Sequence, residues 1–598
     1  MTEQHDDLRN VAIIAHVDHG KTTLVDHLLK QSGVFRENED TGERIMDTQD
    51  LEKERGITIS SKNAALMHDD TKINVVDTPG HSDFGGEVER ILNMVDGAIL
   101  LVDASEGPLP QTRFVLKNAI EKDLELILCV NKIDRDDARI SEVVDEVFEM
   151  FLELDASDEQ LDFPILYSAA IHGFAVEDPD EEGEDLEPLF ETIIDHVPPP
   201  ETEEEGPLQM MVSDLGYSDY LGRLAIGRIK SGSIREGETV KILQGDGEIE
   251  AEVTALKVHE GLQKQDIDEA YAGEIVALAG ADNVQIGDTI TSVDNPSALP
   301  RISVDDPTVG ITIMANDGPF ASQEGEHVTG RKVHERLKEE DRNNVAIELR
   351  DTGKSERWSV MGRGQLQLAI MLEEMRREGY EMLVGKFEVL TKEENGNELE
   401  PVERVVVDVP EQYQGVVREK LGDRNGEMEA YAPLQGDRIR LEFRVPTRGL
   451  VGYRSEFKTD TRGSGIITTT FADYQPMNGN SLGRRTGALI ADREGEAKPY
   501  ALENLEDRGR LFVGPNTKCY EGMIVGEHSN KSDLDVNVNK NKQLTNFRAD
   551  GADDAIQLEP PVDVDMEFGL EWIDDNELIE ITPESVRLRR KELDQRFR

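Results

Sequence analysis

Five short segments in the first third of the chain carry side chains whose types, order and spacing suit a guanine nucleotide. They are Ala15-His-Val-Asp-His-Gly-Lys-Thr22, Arg55-Gly-Ile-Thr58, Asp77-Thr-Pro-Gly-His81, Asn131-Lys-Ile-Asp134 and Ser168-Ala169. Each alone is a short loop pattern; together they form a set with one mechanism. Gly20, Lys21 and Thr22 fall where a strand gives way to a helix, so backbone N–H groups and the helix N-terminus can hold phosphate oxygens. Lys21 supplies a point charge for the β- and γ-phosphates, and the Thr22 hydroxyl suits Mg²⁺. Ala15 stands where such loops usually begin with glycine, and it is small enough for the backbone to approach the phosphates.

Asp77 directly follows a strand and is expected to reach Mg²⁺ through water, while Gly80 can offer its N–H to the γ-phosphate. Thr58 ends a long charged loop, residues 36–56, and is the candidate second Mg²⁺ ligand, closing when the γ-phosphate is present. The alternative is that Thr58 merely starts a strand. Asn131 and Asp134 are expected to choose the base: a carboxylate accepts from guanine N1–H and N2–H₂, donors that adenine does not present there. Ser168 and Ala169, after a strand at 164–167, would add a backbone N–H to the guanine oxygen. Loop histidines are usually solvated or structural. His81 follows the γ-phosphate-sensing glycine, a position that favours orienting the attacking water.

The elements that must position these groups are legible around them. Apolar strands at 11–15, 73–76, 99–102 and 126–130, with a helix at 22–31, give the strand–loop–helix repetition of a doubly wound α/β fold. An acidic stretch at 177–187 reads as a solvated loop, and Val197-Pro-Pro-Pro-Glu-Thr-Glu-Glu-Glu-Gly206 as a linker. Short strands with glycine-centred turns then predict a β-barrel. Strands at 309–314, 345–349, around Trp358 and at 381–389, with helices at 327–340 and 365–377, predict a ferredoxin-like α+β unit. A similar order recurs over 402–475, with helices at 412–421 and 450–460. Beyond residue 476 periodicity assigns no fold. The expected organisation is a P-loop GTPase domain at 1–200, a barrel at 207–304, ferredoxin-like domains at 305–392 and 398–476, and a distinct C-terminal domain at 477–598.

No run of about 18 apolar residues is present, so no membrane span is expected. The polar N-terminus has no secretory h-region, and Cys129 and Cys519 are the only cysteines, which fits a reduced cytoplasm. Cys129 lies in an apolar run and reads as core filler. The formal net charge of −60 has two readings, solvation of a large polar surface or adaptation to a concentrated-salt cytosol. Acids spread throughout the chain, and not gathered in a tail, favour the second.

His16-Val-Asp-His-Gly-Lys-Thr-Thr23, Asp50-Leu-Glu-Lys-Glu-Arg-Gly-Ile-Thr-Ile59 and Asp77-Thr-Pro-Gly-His-Ser-Asp83 make the chain resemble the translational GTPases. It is similar to elongation factor G over the switch domain, the barrel and both ferredoxin-like units, but lacks room after Leu390 for a tRNA-mimicking fourth domain. LepA lacks that domain too. Arg444-Val-Pro-Thr-Arg-Gly-Leu-Val-Gly-Tyr-Arg-Ser-Glu-Phe457, Glu503-Asn-Leu-Glu-Asp-Arg-Gly-Arg-Leu-Phe512, Glu521-Gly-Met-Ile-Val-Gly-Glu527 and Leu544-Thr-Asn-Phe-Arg548 closely resemble the BipA (TypA) family. The resemblance implies nucleotide contacts by Asp18, His19, Gly20, Lys21, Thr22, Thr23, Gly80, Asn131, Lys132, Asp134, Ser168 and Ala169, and Mg²⁺ ligation by Thr22, Thr58 and Asp77. It also implies that Val17 and Ile57 gate His81 and that Asp18 helps bind a monovalent cation. The implied partner is the ribosome, through large-subunit RNA and A-site tRNA, for a cytoplasmic monomer acting in large-subunit assembly, or in translation under stress or low temperature.

An acidic chain that holds RNA needs local cations, because phosphate contacts weaken steeply with salt. The polar stretch 529–548 offers Lys531, Lys540, Lys542 and Arg548, with asparagines between them; the alternative is a solvated loop. Three function classes remain at this point. One is a ribosome-stimulated GTPase. Another is a metabolic enzyme bearing an elongation-factor-like GTPase, which the further domains argue against. The third is a binding factor in which nucleotide state and not turnover does the work.

Overall fold

The computed structural model describes residues 3–4, 7–16, 18–33, 54, 62–78, 85–154, 156–203, 206–218, 220–245, 247–281, 283–301, 307–344, 347–394, 396–433, 437–477, 484, 486–541 and 557–596. The chain forms two compact units, 1–305 and 306–598.

In the first unit, β1 (Leu8–Ala15) is buried along its whole length: 11–15 is an apolar run between two helical layers, and the preceding Arg9 and Asn10 donate to the carbonyls of Ile194 and Gly273. It is followed by α1 (Lys21–Gln31), β2 (Lys62–His68), β3 (Thr71–Asp77), α2 (Gly85–Leu92), β4 (Gly97–Asp103) and α3 (Pro110–Glu121). Then come β5 (Glu125–Asn131), α4 (Ile140–Glu153), β6 (Ile165–Ala169), β7 (Phe174–Val176) and α5 (Glu187–His196). The sheet order is β2-β3-β1-β4-β5-β6-β7. Its five central strands are parallel, and the two edges, β2 and β7, pair antiparallel. The order reverses at β1, so the crevice at the carboxyl ends of β1, β3 and β4 is where such a sheet takes its ligand. The strands expected from apolar runs are the five parallel ones; the edge strands carry weaker patterns. Within the expected linker, Glu201–Thr202 pairs with Glu3–Gln4, and Thr202 is buried.

The barrel of this unit is a nine-stranded antiparallel sheet that includes Gly222–Ser231, Thr239–Gln244 and Ile275–Ala279. It packs on the α/β sheet directly: Ile226, Ile275 and Ala277 join the same apolar core as Ala12, Ile14 and Leu100. Arg228 pairs with Asp96 at 2.8 Å, and Asn10 donates to the Gly273 carbonyl at 3.1 Å.

The second unit contains β8 (Val309–Ala315), α6 (Gly330–Asn343), β9 (Glu348–Asp351), β10 (Arg357–Gly362), α7 (Gln365–Arg377) and β11 (Met382–Val384). Their order, β9-β10-β8-β11, is that of a ferredoxin-like sheet. The helix expected from His327 starts at Gly330, because His327 N–H bonds to the Gly379 carbonyl at 3.0 Å and holds that segment extended. The expected strand 381–389 is interrupted at Gly385 and resumes at Glu388–Val389.

A second set follows: β12 (Asn397–Pro410), α8 (Gln414–Asp423), β13 (Glu427–Pro433), β14 (Arg438–Pro446), α9 (Tyr453–Asp460) and β15 (Ile466–Pro476). Its order, β13-β14-β12-β15, repeats the first. The helix expected at 450–460 is broken, since Gly452 takes φ of +72° between a short turn at Thr447–Leu450 and α9.

The remainder supplies β16 (Gly487–Ala491), α10 (Pro499–Glu506), β17 (Met523–His528), β18 (Leu534–Val536), α11 (Met566–Trp572), β19 (Glu577–Ile581) and β20 (Val586–Arg590). These strands continue the first ferredoxin-like sheet: β11 pairs with β19, β19 with β20, β20 with β17 and β17 with β16. One sheet of eleven strands thus joins chain segments separated by the whole second ferredoxin-like set. Its core combines Val309, Leu368 and Met382 with Ile524, Leu570 and Ile579.

Candidate functional site

The loop after β1 turns into α1 at Gly20, whose φ of +96° favours glycine. Space makes the same demand, because a Cβ there would lie 2.4 Å from Asn131 Nδ2. That amide is the brace of the site. Asn131, at the end of β5 and 1% exposed, donates from Nδ2 to the His19 carbonyl at 2.8 Å. Its Oδ1 accepts from Ser168 Oγ at 3.1 Å and from Ala170 N–H at 2.9 Å. Asn131 therefore ties three loops together, and its side chain is engaged inside the protein at both ends. Among the side chains of Asn131, Asp134 and Ser168, this leaves the Asp134 carboxylate presented outward. It is one-third exposed, with His172 Nε2 at 3.6 Å.

Lys132, at φ +64°, lashes the same loop from the other side, donating to the Asp18 carbonyl at 2.6 Å. Its Nζ also lies 2.7 Å from Asp103 Oδ2. Asp103 closes β4, is fully buried, and accepts from Ser105 N–H and Oγ, each at 2.7 Å. Burial alone would raise its carboxyl, but the bonds from Lys132 and Ser105 outweigh it and hold the group at about 2. Sequence reasoning missed Asp103. The available signal was an Asp at the carboxyl end of the strand beside β1.

Lys21 heads α1 and is 8% exposed, with Nζ 2.7 Å from Asp77 Oδ1 and donating to the Thr78 carbonyl. Thr78 Oγ1 in turn bonds to the Ile13 carbonyl at 2.7 Å, fixing the end of β3 against β1. Thr22 and Thr23 follow on the first turn of α1, both partly exposed. His19 is buried, with Nδ1 at 3.4 Å from both the Leu101 carbonyl and Asp103 N–H, and Nε2 at 3.7 Å from Glu106. Hydrogen bonding from His19 lowers the Glu106 carboxyl. Cys129, beside Ser168 at 3.2 Å, is buried as expected, and burial pushes its thiol up to about 11.

Thus Asp18, His19, Gly20, Lys21, Thr22, Asp77, Asn131, Lys132, Asp134 and Ser168 come together at the carboxyl ends of β1, β3, β5 and β6. Val17, Ile57, Thr58, Gly80 and His81 lie outside the described residues, as do Lys542 and Arg548. Lys531 and Lys540 are exposed. Part of the polar stretch around them is structural: β18 pairs parallel with β16, Val536 and Val538 are buried, and Asn539 donates to the Glu494 carbonyl at 2.8 Å.

Comparison with known proteins follows this division of the chain. Residues 6–199 match the elongation factor Tu GTP binding domain, 222–291 elongation factor Tu domain 2, 397–485 the elongation factor G C-terminus and 486–595 the TypA/BipA C-terminal domain. The large ribosomal subunit assembly factor BipA of Synechocystis is 52% identical over 98% of both chains. That of Bacillus subtilis is 50% identical over 99% of this chain and 97% of its own. That of Escherichia coli K12 is 48% identical over 98% and 97%. A crystal structure from Thermus thermophilus shares the fold at a TM-score of 0.54 and 17% identity, covering 79% of this chain and 97% of that one.

Proposed function

Because this chain belongs to the TypA/BipA family of translational GTPases, we propose that it binds the ribosome in its GTP state and hydrolyses GTP when the ribosome stimulates it, in the service of large-subunit assembly. The observation that carries the reading is the similarity itself, which runs at 52% identity through 98% of the chain to a large-subunit assembly factor. In this reading Asp134 accepts from the guanine base, and Asn131 and Lys132 hold the phosphate loop in the shape that receives it. Lys21 exchanges part of its contact with Asp77 for phosphate oxygens.

The Thr22 hydroxyl and the Asp77 carboxylate are hard oxygen donors of the kind Mg²⁺ prefers, and Thr58 completes the protein's share of the ligands. Bound there, Mg²⁺ would neutralise charge between the β- and γ-phosphates. His81 orients the attacking water, flanked by Val17 and Ile57; Gly80 meets the γ-phosphate, and Asp18 helps hold a monovalent cation. Lys531, Lys540, Lys542 and Arg548 contact ribosomal RNA or tRNA. The protein works as a monomer in the cytoplasm, under stress or at low temperature. No helix among the described residues is long and apolar enough to cross a membrane.

GTP turnover with and without ribosomes tests this for wild type and His81→Ala. Ribosomes should stimulate wild type. The variant should bind GTP normally and lose about 10² or more of the stimulated rate. No stimulation of wild type would remove the ribosome from the reading; a variant within a few fold of wild type would remove His81.

A further inference from the structure

The second unit has a cavity of about 280 Å³ on the face of its ferredoxin-like sheet that the helices leave uncovered. Side-chain alternation along β8 defines that face. Ile311 and Ile313 enter the core beneath α6 and α7, whereas Thr312 and Met314, one residue out of phase, floor the cavity. Four cations line it, Lys354, Arg357, Lys386 and Lys591, against two carboxylates, Glu388 and Asp575. This excess is unusual in a chain of 125 acids and 65 bases.

The four cations are not equivalent. Lys386 is held by Asp574 at 2.8 Å and Asp575 at 3.2 Å, and Lys591 donates to the Asp575 carbonyl. Lys354 and Arg357 are exposed and form no ion pair among the described residues. They sit on the β9–β10 hairpin, Lys354 in the turn and Arg357 as the first residue of β10, and hydrogen bonds within the turn set its shape. Thr352 Oγ1 donates to the Arg357 carbonyl at 2.8 Å, and Gly353, at φ +70°, donates to Asp351 Oδ1 at 2.9 Å. Two cations without an ion pair among the described residues, on a hairpin above a concave floor, concentrate positive potential where the rest of the chain repels anions. The floor carries a threonine and a methionine but no aromatic ring, so it suits phosphate oxygens better than stacked bases.

We propose that this cavity is a phosphate-binding site, separate from the nucleotide loop, in which Lys354 and Arg357 hold phosphoryl oxygens while Lys386 and Lys591 shape its wall. The phosphate comes either from the backbone of an RNA strand or from a free polyphosphate ligand. Neither source depends on GTP turnover.

The test uses the full chain with its nucleotide site saturated by GDP and Mg²⁺. Two probes are titrated at low and high KCl, a short uridine oligoribonucleotide and inorganic pyrophosphate. Wild type should bind at least one, more weakly at high salt. Lys354→Gln/Arg357→Gln should lose about tenfold or more of that affinity with GDP binding unchanged. Lys338→Gln/Arg342→Gln, which removes the same charge from α6, should lose none. Loss on the RNA arm alone identifies a phosphodiester, and loss on the pyrophosphate arm identifies a free phosphate ligand. Binding of neither probe by wild type, no loss in the cavity variant, or equal loss in both variants overturns the site.

Discussion

The two units both bury charge, but to different ends. In the nucleotide site, Lys21 faces Asp77 at 2.7 Å, and Lys132 faces Asp103 at 2.7 Å. Each lysine also donates to a backbone carbonyl, Lys21 to that of Thr78 and Lys132 to that of Asp18; in the function proposed above, Lys21 takes phosphate in exchange for part of its protein partner. In the second unit, Glu381, Glu577 and Glu580 are fully buried and surrounded by donors. Glu381 accepts from the backbone N–H groups of Ser322, Glu324 and Gly325 at 2.6–3.0 Å. Glu577 accepts from Arg484 at 2.7 and 3.0 Å, from Arg590 at 3.1 Å and from Asp574 N–H at 2.8 Å. Glu580 accepts from Tyr520 and Asn316. Such saturated groups have nothing left to exchange; they fix which strands pair. The contrast is between lysines at strand ends, which the proposed function makes exchangeable, and buried glutamates whose oxygens are taken up by arginines and backbone N–H groups, which serve architecture.

The sharpest way to break that contrast is Glu577→Ala. It strips Arg484 and Arg590 of their shared carboxylate; among the described residues Asp533, at 3.9 and 3.0 Å, stays near both. Removing one member of a buried charge group costs about 3–5 kcal/mol. Urea unfolding should show that loss while GDP affinity stays unchanged. A loss below about 1 kcal/mol would mean that the network is decorative.

Asn131→Ala should come next. The His19 carbonyl, the Ala170 N–H and Ser168 Oγ would each lose their bond to the amide, at about 1–3 kcal/mol for a buried group left unsatisfied. Because the phosphate loop loosens, GDP affinity should fall by about tenfold or more, a drop that Glu577→Ala does not produce. Equal GDP affinity by calorimetry would show that the loop keeps its shape without the brace.

Asp103 gives a pH signature of somewhat smaller size. Its carboxyl is held at about 2 in the folded chain against an ordinary 3.8, so folding favours the ionised form. That contribution, about 2 kcal/mol, is fully present above the unfolded value and fades as pH falls from about 4 toward 2. Asp103→Asn should therefore cost stability at pH 7, and its deficit should shrink across that window in acid-unfolding curves. A deficit independent of pH would show that the bonds to Lys132 and Ser105 do not depend on charge.

The nucleotide site was largely legible from sequence because its chemistry is local. Gly20, Lys21, Asp77 and Asp134 lie in short motifs at the ends of apolar strands, and a parallel sheet gathers such ends on one edge. What escaped was the division of labour. The Asn131 motif does not by itself reveal that its amide braces the loops through the His19 carbonyl, Ser168 Oγ and Ala170 N–H, and Asp103 belongs to no motif. The second unit was legible only as far as its two ferredoxin-like orders. In Glu577-Leu-Ile-Glu-Ile581 every side chain is buried, but two glutamates in five residues read as a surface segment. Three of their partners, Arg484, Tyr520 and Asn316, lie far away in sequence. No periodicity carries that information.

The smallest expected effect calibrates the contrast from the exposed side. Lys117 and Glu121 form an i,i+4 pair at 3.5 Å on α3, each 59% exposed. Pairs of this kind contribute about 0.3–0.5 kcal/mol, because water screens the attraction and two long side chains lose freedom to meet. Lys117→Gln also removes one positive charge from a chain already at −60, so its low-salt cost includes the lost attraction to the surrounding acids. Both contributions are electrostatic and exposed. In about 1 M KCl, where the Debye length is about 3 Å, the difference from wild type should vanish. The deficit of Glu577→Ala should persist there, since buried groups are screened far less. Melting the two variants beside wild type across a KCl series separates the cases. If the Glu577→Ala deficit also disappears in high salt, its network is solvated, and the distinction between exchangeable and architectural buried charge does not hold for this protein.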